Sequence, residues 1–126
     1  MIGYVTVGTN DFDKAAAFYD ALLAELGGAR AMEMDGFIGW ASESKGAMIG
    51  IIKPNDKNPA TVGNGVMLAL AADSKEKVKA VYDKAIELGA TSEGEVGNRG
   101  DTFYAGYFRD LDGNKLNVFC MGDAAK

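Results

Sequence analysis

The sequence predicts an α+β fold: two βαβββ units whose mixed sheets curl toward each other and leave an open cleft. Three observations predict it. Two stretches carry apolar residues at helical spacing, each preceded by one short β run and followed by three more. The chain also repeats itself. Adding 63 to a residue number carries Tyr4 to Met67, Asn10 to Asp73, Tyr19 to Tyr82 and Asp20 to Asp83. Adding 67 carries Gly46 to Gly113, Ile49 to Leu116, Gly50 to Asn117 and Ile51 to Val118, so a duplication with a small change of length explains both offsets. Finally, Tyr107 to Phe119 reads as strand, tight acidic turn and strand, with Asp112-Gly113 as the hairpin signal. A sheet with one helix buries one face under it. The remaining faces of two such sheets can line a cleft, where small-molecule sites form.

Taken in order, Ile2 to Gly8 is a β run with Val5 and Val7 on one face and Tyr4 and Thr6 on the other. Asn10 or Asp11 caps a helix, and Asp13 lies near the positive end of its dipole. Phe12, Ala15, Ala16, Tyr19, Leu22, Leu23 and Leu26 form its apolar stripe, and Gly27-Gly28 ends it. Strands follow at Ala29 to Met34, Gly36 to Ala41 and Gly46 to Lys53. Pro54 to Gly65 is polar, holds both prolines and reads as a linker.

Val66 to Ala72 opens the second half. Asp73 is the expected cap of the next helix, with Glu76 at capping-box spacing. Val78, Val81, Tyr82, Ala85 and Leu88 form the stripe, and Gly89 stops it. Strands at Thr91 to Val96, Thr102 to Arg109 and Lys115 to Met121 complete the unit, and the tail after Met121 is expected to fray. In the last strand Leu116 and Val118 point one way, Lys115, Asn117 and Phe119 the other. The result is one domain over residues 1–126, with modules at about 1–54 and about 65–121 and a linker at about 55–64.

The totals bound the function. With 126 residues and 48% hydrophobic content the chain can bury a core and is not disordered by default. The net charge is −5 and neither half is basic, which argues against nucleic acid as a partner. Cys120 is the single cysteine, so no internal disulfide forms and a reducing compartment is expected. No apolar run approaches membrane-spanning length. The chain opens straight into a β run, without a charged n-region or signal core, so a cytoplasmic location is expected. There is no histidine, which removes the commonest general base, the commonest first-row metal ligand and every Ser-His or Cys-His arrangement.

Three segments, Tyr4-Val-Thr-Val-Gly-Thr-Asn-Asp11, Ala17-Phe-Tyr-Asp-Ala-Leu-Leu23 and Phe108-Arg-Asp-Leu-Asp-Gly-Asn-Lys-Leu-Asn117, occur in an order and spacing that resembles the vicinal oxygen chelate superfamily. That superfamily holds glyoxalase I, extradiol dioxygenases and bleomycin-resistance proteins. The resemblance implies paired βαβββ modules, an open cleft and a homodimer. In metal-dependent members four side chains hold a divalent ion, two on the first strand of each module and two on the last. The matching positions here are Tyr4, Gly50, Met67 and Asn117, where the family usually has His, Gln or Glu. Gly50 has no side chain, Met67 is a soft thioether, Asn117 is a neutral oxygen, and Tyr4 ligates only with its phenol ionised. The expectation is that the family metal site is lost and that no cofactor is bound. Glyoxalase I and ring-cleaving chemistry, which use the metal as Lewis acid or oxygen activator, would lose their basis.

The cleft residues expected to bind ligand are Tyr4, Thr6, Trp40, Gly50, Met67, Tyr104, Tyr107 and Asn117. Tyr4 and Met67 either fill the space of the metal or touch the ligand. Asn117 either orients a ligand or makes an inter-strand hydrogen bond. Trp40, Phe37, Tyr104, Tyr107 and Phe119 form an aromatic set near the cleft, although strand aromatics commonly serve the core. Arg99 is a solvated loop arginine or reaches an anionic ligand, Arg109 reads as a turn ion pair with Asp110, and Cys120 reads as core. The function expected is small-molecule binding without a metal, as in the bleomycin-resistance branch. The alternative is a divergent lyase or isomerase of the lactoylglutathione-lyase type with a non-standard base. The sequence assigns no catalytic residue.

Overall fold

The computed structural model describes all 126 residues, which divide into two compact units, Met1–Val62 and Gly63–Lys126. The first runs β1 (Tyr4–Gly8), α1 (Phe12–Ala24), β2 (Ala29–Met34), β3 (Phe37–Ala41) and β4 (Met48–Ile52). Its sheet has the order β1-β4-β3-β2, parallel between β1 and β4 and antiparallel elsewhere. Asp11 is the N-cap of α1, its Oδ1 accepting from the Lys14 N–H at 3.3 Å. Asn10 has a different task. Its Nδ2 donates to the Ala60 carbonyl at 3.0 Å and its Oδ1 accepts from the Ala60 N–H at 2.7 Å. The first part of the expected linker is therefore stitched to the first unit. Gly8 permits this approach, because a Cβ there would stand 2.8 Å from Ala60 Cβ.

Helix α1 buries Ala15, Ala16, Phe18, Tyr19, Leu22 and Leu23. Phe18, three residues from Ala15 and four from Leu22, lies outside the predicted stripe and is buried as well, so the buried arc is wider than the predicted one. The opposing core residues include Val7, Ile38, Trp40 and Ile51, all buried. Full burial of one such aliphatic side chain contributes about 1.5–3 kcal/mol.

The second unit repeats the topology. It runs β5 (Leu68–Ala71), α2 (Lys75–Glu87), β6 (Thr91–Asn98), β7 (Phe103–Arg109) and β8 (Lys115–Met121), with the sheet order β5-β8-β7-β6 and a parallel β5–β8 pair. Val78, Val81, Tyr82 and Ala85 of α2 are buried. The expected cap is corrected by one residue. Ser74, not Asp73, is the N-cap, and its Oγ accepts from the Lys77 N–H at 3.1 Å. That places Lys77 where a capping box needs Glu or Gln, so Glu76 sits in the first turn near the dipole and closes no box.

The β7–β8 turn is closed by Asp110. Its Oδ1 accepts from the N–H groups of Asp112 and Asn114, both at 2.9 Å, and its Oδ2 from Asn114 Nδ2 at 3.0 Å. Gly113 follows with φ of 90°. Arg109, expected to pair with Asp110, pairs with Glu93 on the neighbouring strand, and its Nη1 donates to the Gly113 carbonyl at 3.1 Å. The expectation of a frayed tail is also corrected. Gly122–Ala125 forms a 3-10 turn, Ala125 is fully buried, and its carbonyl accepts from Asn98 Nδ2 at 3.0 Å. No helix is long and apolar enough to cross a membrane.

Candidate functional site

Each sheet has a helix-covered face and an open face, and side-chain alternation decides which residues reach which. On the second sheet, the open face carries Ala69 and Ala71 of β5, Lys115, Asn117 and Phe119 of β8, and Phe103, Ala105 and Tyr107 of β7. Ala69, Asn117 and Tyr107 stand side by side across three strands. Asn117 is 1% exposed, and its Oδ1 meets no hydrogen-bond donor. An acceptor left in that condition costs about 1–3 kcal/mol, so it is not a residue that stability alone would place there. Ala69, one strand away, is exposed, so solvent-accessible surface begins beside the buried amide.

Around Tyr107 two cations gather. The Arg99 guanidinium lies 5.5 Å from the ring centroid and the Lys115 Nζ 5.7 Å from it. Further along the same face Phe103 and Phe119 stack at 5.3 Å, with ring planes 15° apart. Glu93 is held below the usual carboxylate range, chiefly by its hydrogen bond from Arg109.

The matching row of the first sheet is Thr6, Gly50 and Gly39. Thr6 is exposed, whereas the two glycines lie under an aromatic ring. A Cβ on Gly50 would stand 2.7 Å from Phe37 Cε2, and one on Gly39 would stand 3.4 Å from Phe37 Cε1. Tyr4, 62% exposed, meets Phe37 edge-on at 6.3 Å. Met67 precedes the first residue of β5 rather than lying on the strand. The four positions that the resemblance assigns to a metal therefore do not fit one. The Phe37 ring occupies the place of the side chain that Gly50 lacks, and the other donors are a thioether, a neutral amide and a phenol.

Two expected ligand-binding residues belong to the opposite side of their sheets. Trp40 is buried beneath α1, with its ring 5.7 Å from Tyr19 and its Nε1 donating to Asp20 at 2.9 Å. Tyr104 faces α2, with Lys75 Nζ 5.3 Å from its ring. Both sit on β strands whose alternate residues face outward; the sequence does not say which alternation meets the helix until the helix is placed. Tyr107 and Asn117 are brought together, as are Tyr4, Thr6 and Gly50 within the first sheet. What sequence reasoning missed is Phe37 over Gly50 and the seating of Arg99; the first depends on the pairing of Gly39 with Gly50 across β3 and β4.

A concavity of about 510 Å³ lies away from these residues, between α1 and β2, and is lined by Phe12, Ala16, Asp20, Arg30, Glu33 and Met34 among others. Its one cation is already committed, since Arg30 pairs with Asp20 at 2.7 Å and with Glu33 at 2.8 Å, and the remaining charges of the lining, Asp13 and Asp35, are acidic.

Comparison with known proteins agrees with this architecture. The family model described as Glyoxalase/Bleomycin resistance protein/Dioxygenase superfamily matches residues 1–118. No curated protein matches the chain. Among solved structures, a glyoxalase/bleomycin resistance protein from Albidiferax ferrireducens T118 is 38% identical, with 94% of this chain and 97% of that one covered and a TM-score of 0.86. A lactoylglutathione lyase from Agrobacterium tumefaciens is 22% identical over 94% of this chain and 92% of that one, with a TM-score of 0.69. A fosfomycin resistance protein from Listeria monocytogenes, solved with Mn(II) and sulfate, is 15% identical over 98% and 91%, with a TM-score of 0.72. The last two share the fold.

Proposed function

The chain belongs to the Glyoxalase/Bleomycin resistance protein/Dioxygenase superfamily, and from that premise we propose that it binds a small molecule on the open face of its second sheet without a metal. The observation that carries the reading is the Asn117 Oδ1, closed to solvent and without a partner. A buried acceptor that is unpaired in the free protein is a cost to folding and a resource for binding. A ligand N–H or O–H that reaches it recovers a hydrogen bond in a site of low dielectric. Ala69 leaves room on one side of it, and Tyr107 offers a ring on the other. The protein acts in the cytoplasm as a homodimer in this reading, and light scattering checks the second point.

The test is Asn117→Leu, which removes the amide but keeps its approximate volume. A binding residue predicts a variant at least as stable as the parent that no longer responds to ligands found by fragment screening of the parent. A variant that melts lower and still responds would overturn the reading. Metal analysis of protein purified without chelator, with a calcium, nickel and zinc melting series, is expected to give no stoichiometric metal and no shift. A lyase reaction on the same face would need a base; turnover of lactoylglutathione-lyase substrates, lost in Asn117→Leu, would put that activity in place of simple binding.

A further inference from the structure

The geometry points to an anionic ligand that also carries a hydrogen-bond donor: Arg99 and Lys115 take the charge, and Asn117 Oδ1 takes the donor. The inference rests on the ligand-binding reading above and adds the chemical class of the ligand. Arg99 is exposed but not free. Its Nη1 donates to the Gly97 carbonyl at 2.8 Å and its Nη2 to the Glu95 carbonyl at 2.7 Å. Two carbonyls orient the guanidinium without neutralising it.

Strand β6 is shaped for this. A Cβ on Gly94 would lie 3.3 Å from Arg99 Nη2, and one on Gly97 would lie 3.2 Å from Nη1. The glycines let the planar cation rest against the strand, with Tyr107 5.5 Å from it. Lys115 Nζ approaches the same ring. The nearby Glu93 is taken by Arg109, and neither Arg99 nor Lys115 has a carboxylate within ion-pair distance. A ring face compensates a cation only weakly. Glu93 also feels the charge of Lys115, but it is hydrogen-bonded to Arg109 and pairs with neither cation at the Tyr107 ring. Two cations at one ring, neither in an ion pair, form a local excess that a carboxylate or phosphate would relieve. The register pair Tyr107–Asn117 places the uncommitted acceptor beside that excess.

The experiment is an NMR titration of the full chain with matched probes: hydroxybenzoates and short hydroxy acids, their methyl esters, and the corresponding methoxy acids. The free acids are expected to move the Tyr107 and Asn117 amide signals. The esters, which keep the donor and lose the charge, should bind at least tenfold more weakly, as should the methoxy acids, which keep the charge and lose the donor. Arg99→Gln should weaken the acids about tenfold and leave the esters unchanged, Arg99→Lys should recover part of the loss, and Lys115→Gln should act in the same direction. Acids and esters binding equally, with no effect of Arg99→Gln, would overturn the anion inference and leave the ligand-binding reading standing. No movement of these signals by any probe would overturn both.

Discussion

Trp40 donates its indole N–H to Asp20 Oδ1 at 2.9 Å, and the same carboxylate receives Arg30 Nε at 2.9 Å and Nη2 at 2.7 Å. One side chain of α1 thus holds β3 from within and β2 from without. Asp20→Ala leaves a buried indole donor unpaired, and the expected cost is about 1–3 kcal/mol in urea unfolding followed by Trp40 fluorescence.

The same group gives a pH dependence. The hydrogen bond from Arg30 is the main reason that the Asp20 carboxyl lies below its usual value. A carboxyl with a lowered folded pKa contributes stability that is present above its unfolded pKa of about 3.9 and is lost as pH falls through the folded value. Denaturation midpoints should therefore fall more steeply below pH 4 in the parent than in Asp20→Asn. The difference should be small, because the pair is partly exposed and screened.

Gly50 should tolerate no side chain while Phe37 is present. Gly50→Ala is expected to cost about 1–3 kcal/mol through overpacking against the ring. The added cost of Gly50→Ala in a Phe37→Ala background should be much smaller, so a double-mutant cycle in thermal melts would show strong coupling.

Ser74→Ala should cost about 0.5–2 kcal/mol, the usual worth of a side-chain cap. Asp73→Ala, one residue earlier, should stay within about 0.5 kcal/mol. Equal effects would mean that the cap is shared.

Cys120 is 1% exposed, burial pushes its thiol pKa up, and its Sγ–H points at the Ala124 carbonyl at 3.5 Å. The native thiol should react slowly with a thiol reagent at pH 8, and deletion of residues 122–126 should speed the reaction by an order of magnitude or more.

Much of the fold was legible because a duplicated pattern states it twice. Helix α1, the order of strands and β8 from Lys115 to Met121 follow from apolar spacing and from Asp112-Gly113. Less of the candidate site was legible, for physical reasons. Alternation says that Tyr104 and Tyr107 face opposite ways but not which one the helix covers. The cap at Ser74 rather than Asp73 is a one-residue shift between two good capping side chains. Phe37 over Gly50 is a contact between neighbouring strands whose register the sequence does not give. The seating of Arg99 depends on backbone carbonyls, which carry no sequence signal.

The rows Thr6–Gly50–Gly39 and Ala69–Asn117–Tyr107 descend from one pattern and have parted company. In the first copy a phenylalanine lies over two glycines; in the second the same places hold an amide and a phenol. With two of its three places under a ring, the first copy leaves less room for change than the second. For laboratory evolution of new ligand preferences, this concentrates the useful library on Ala69, Tyr107 and Asn117 and leaves the first copy as invariant background.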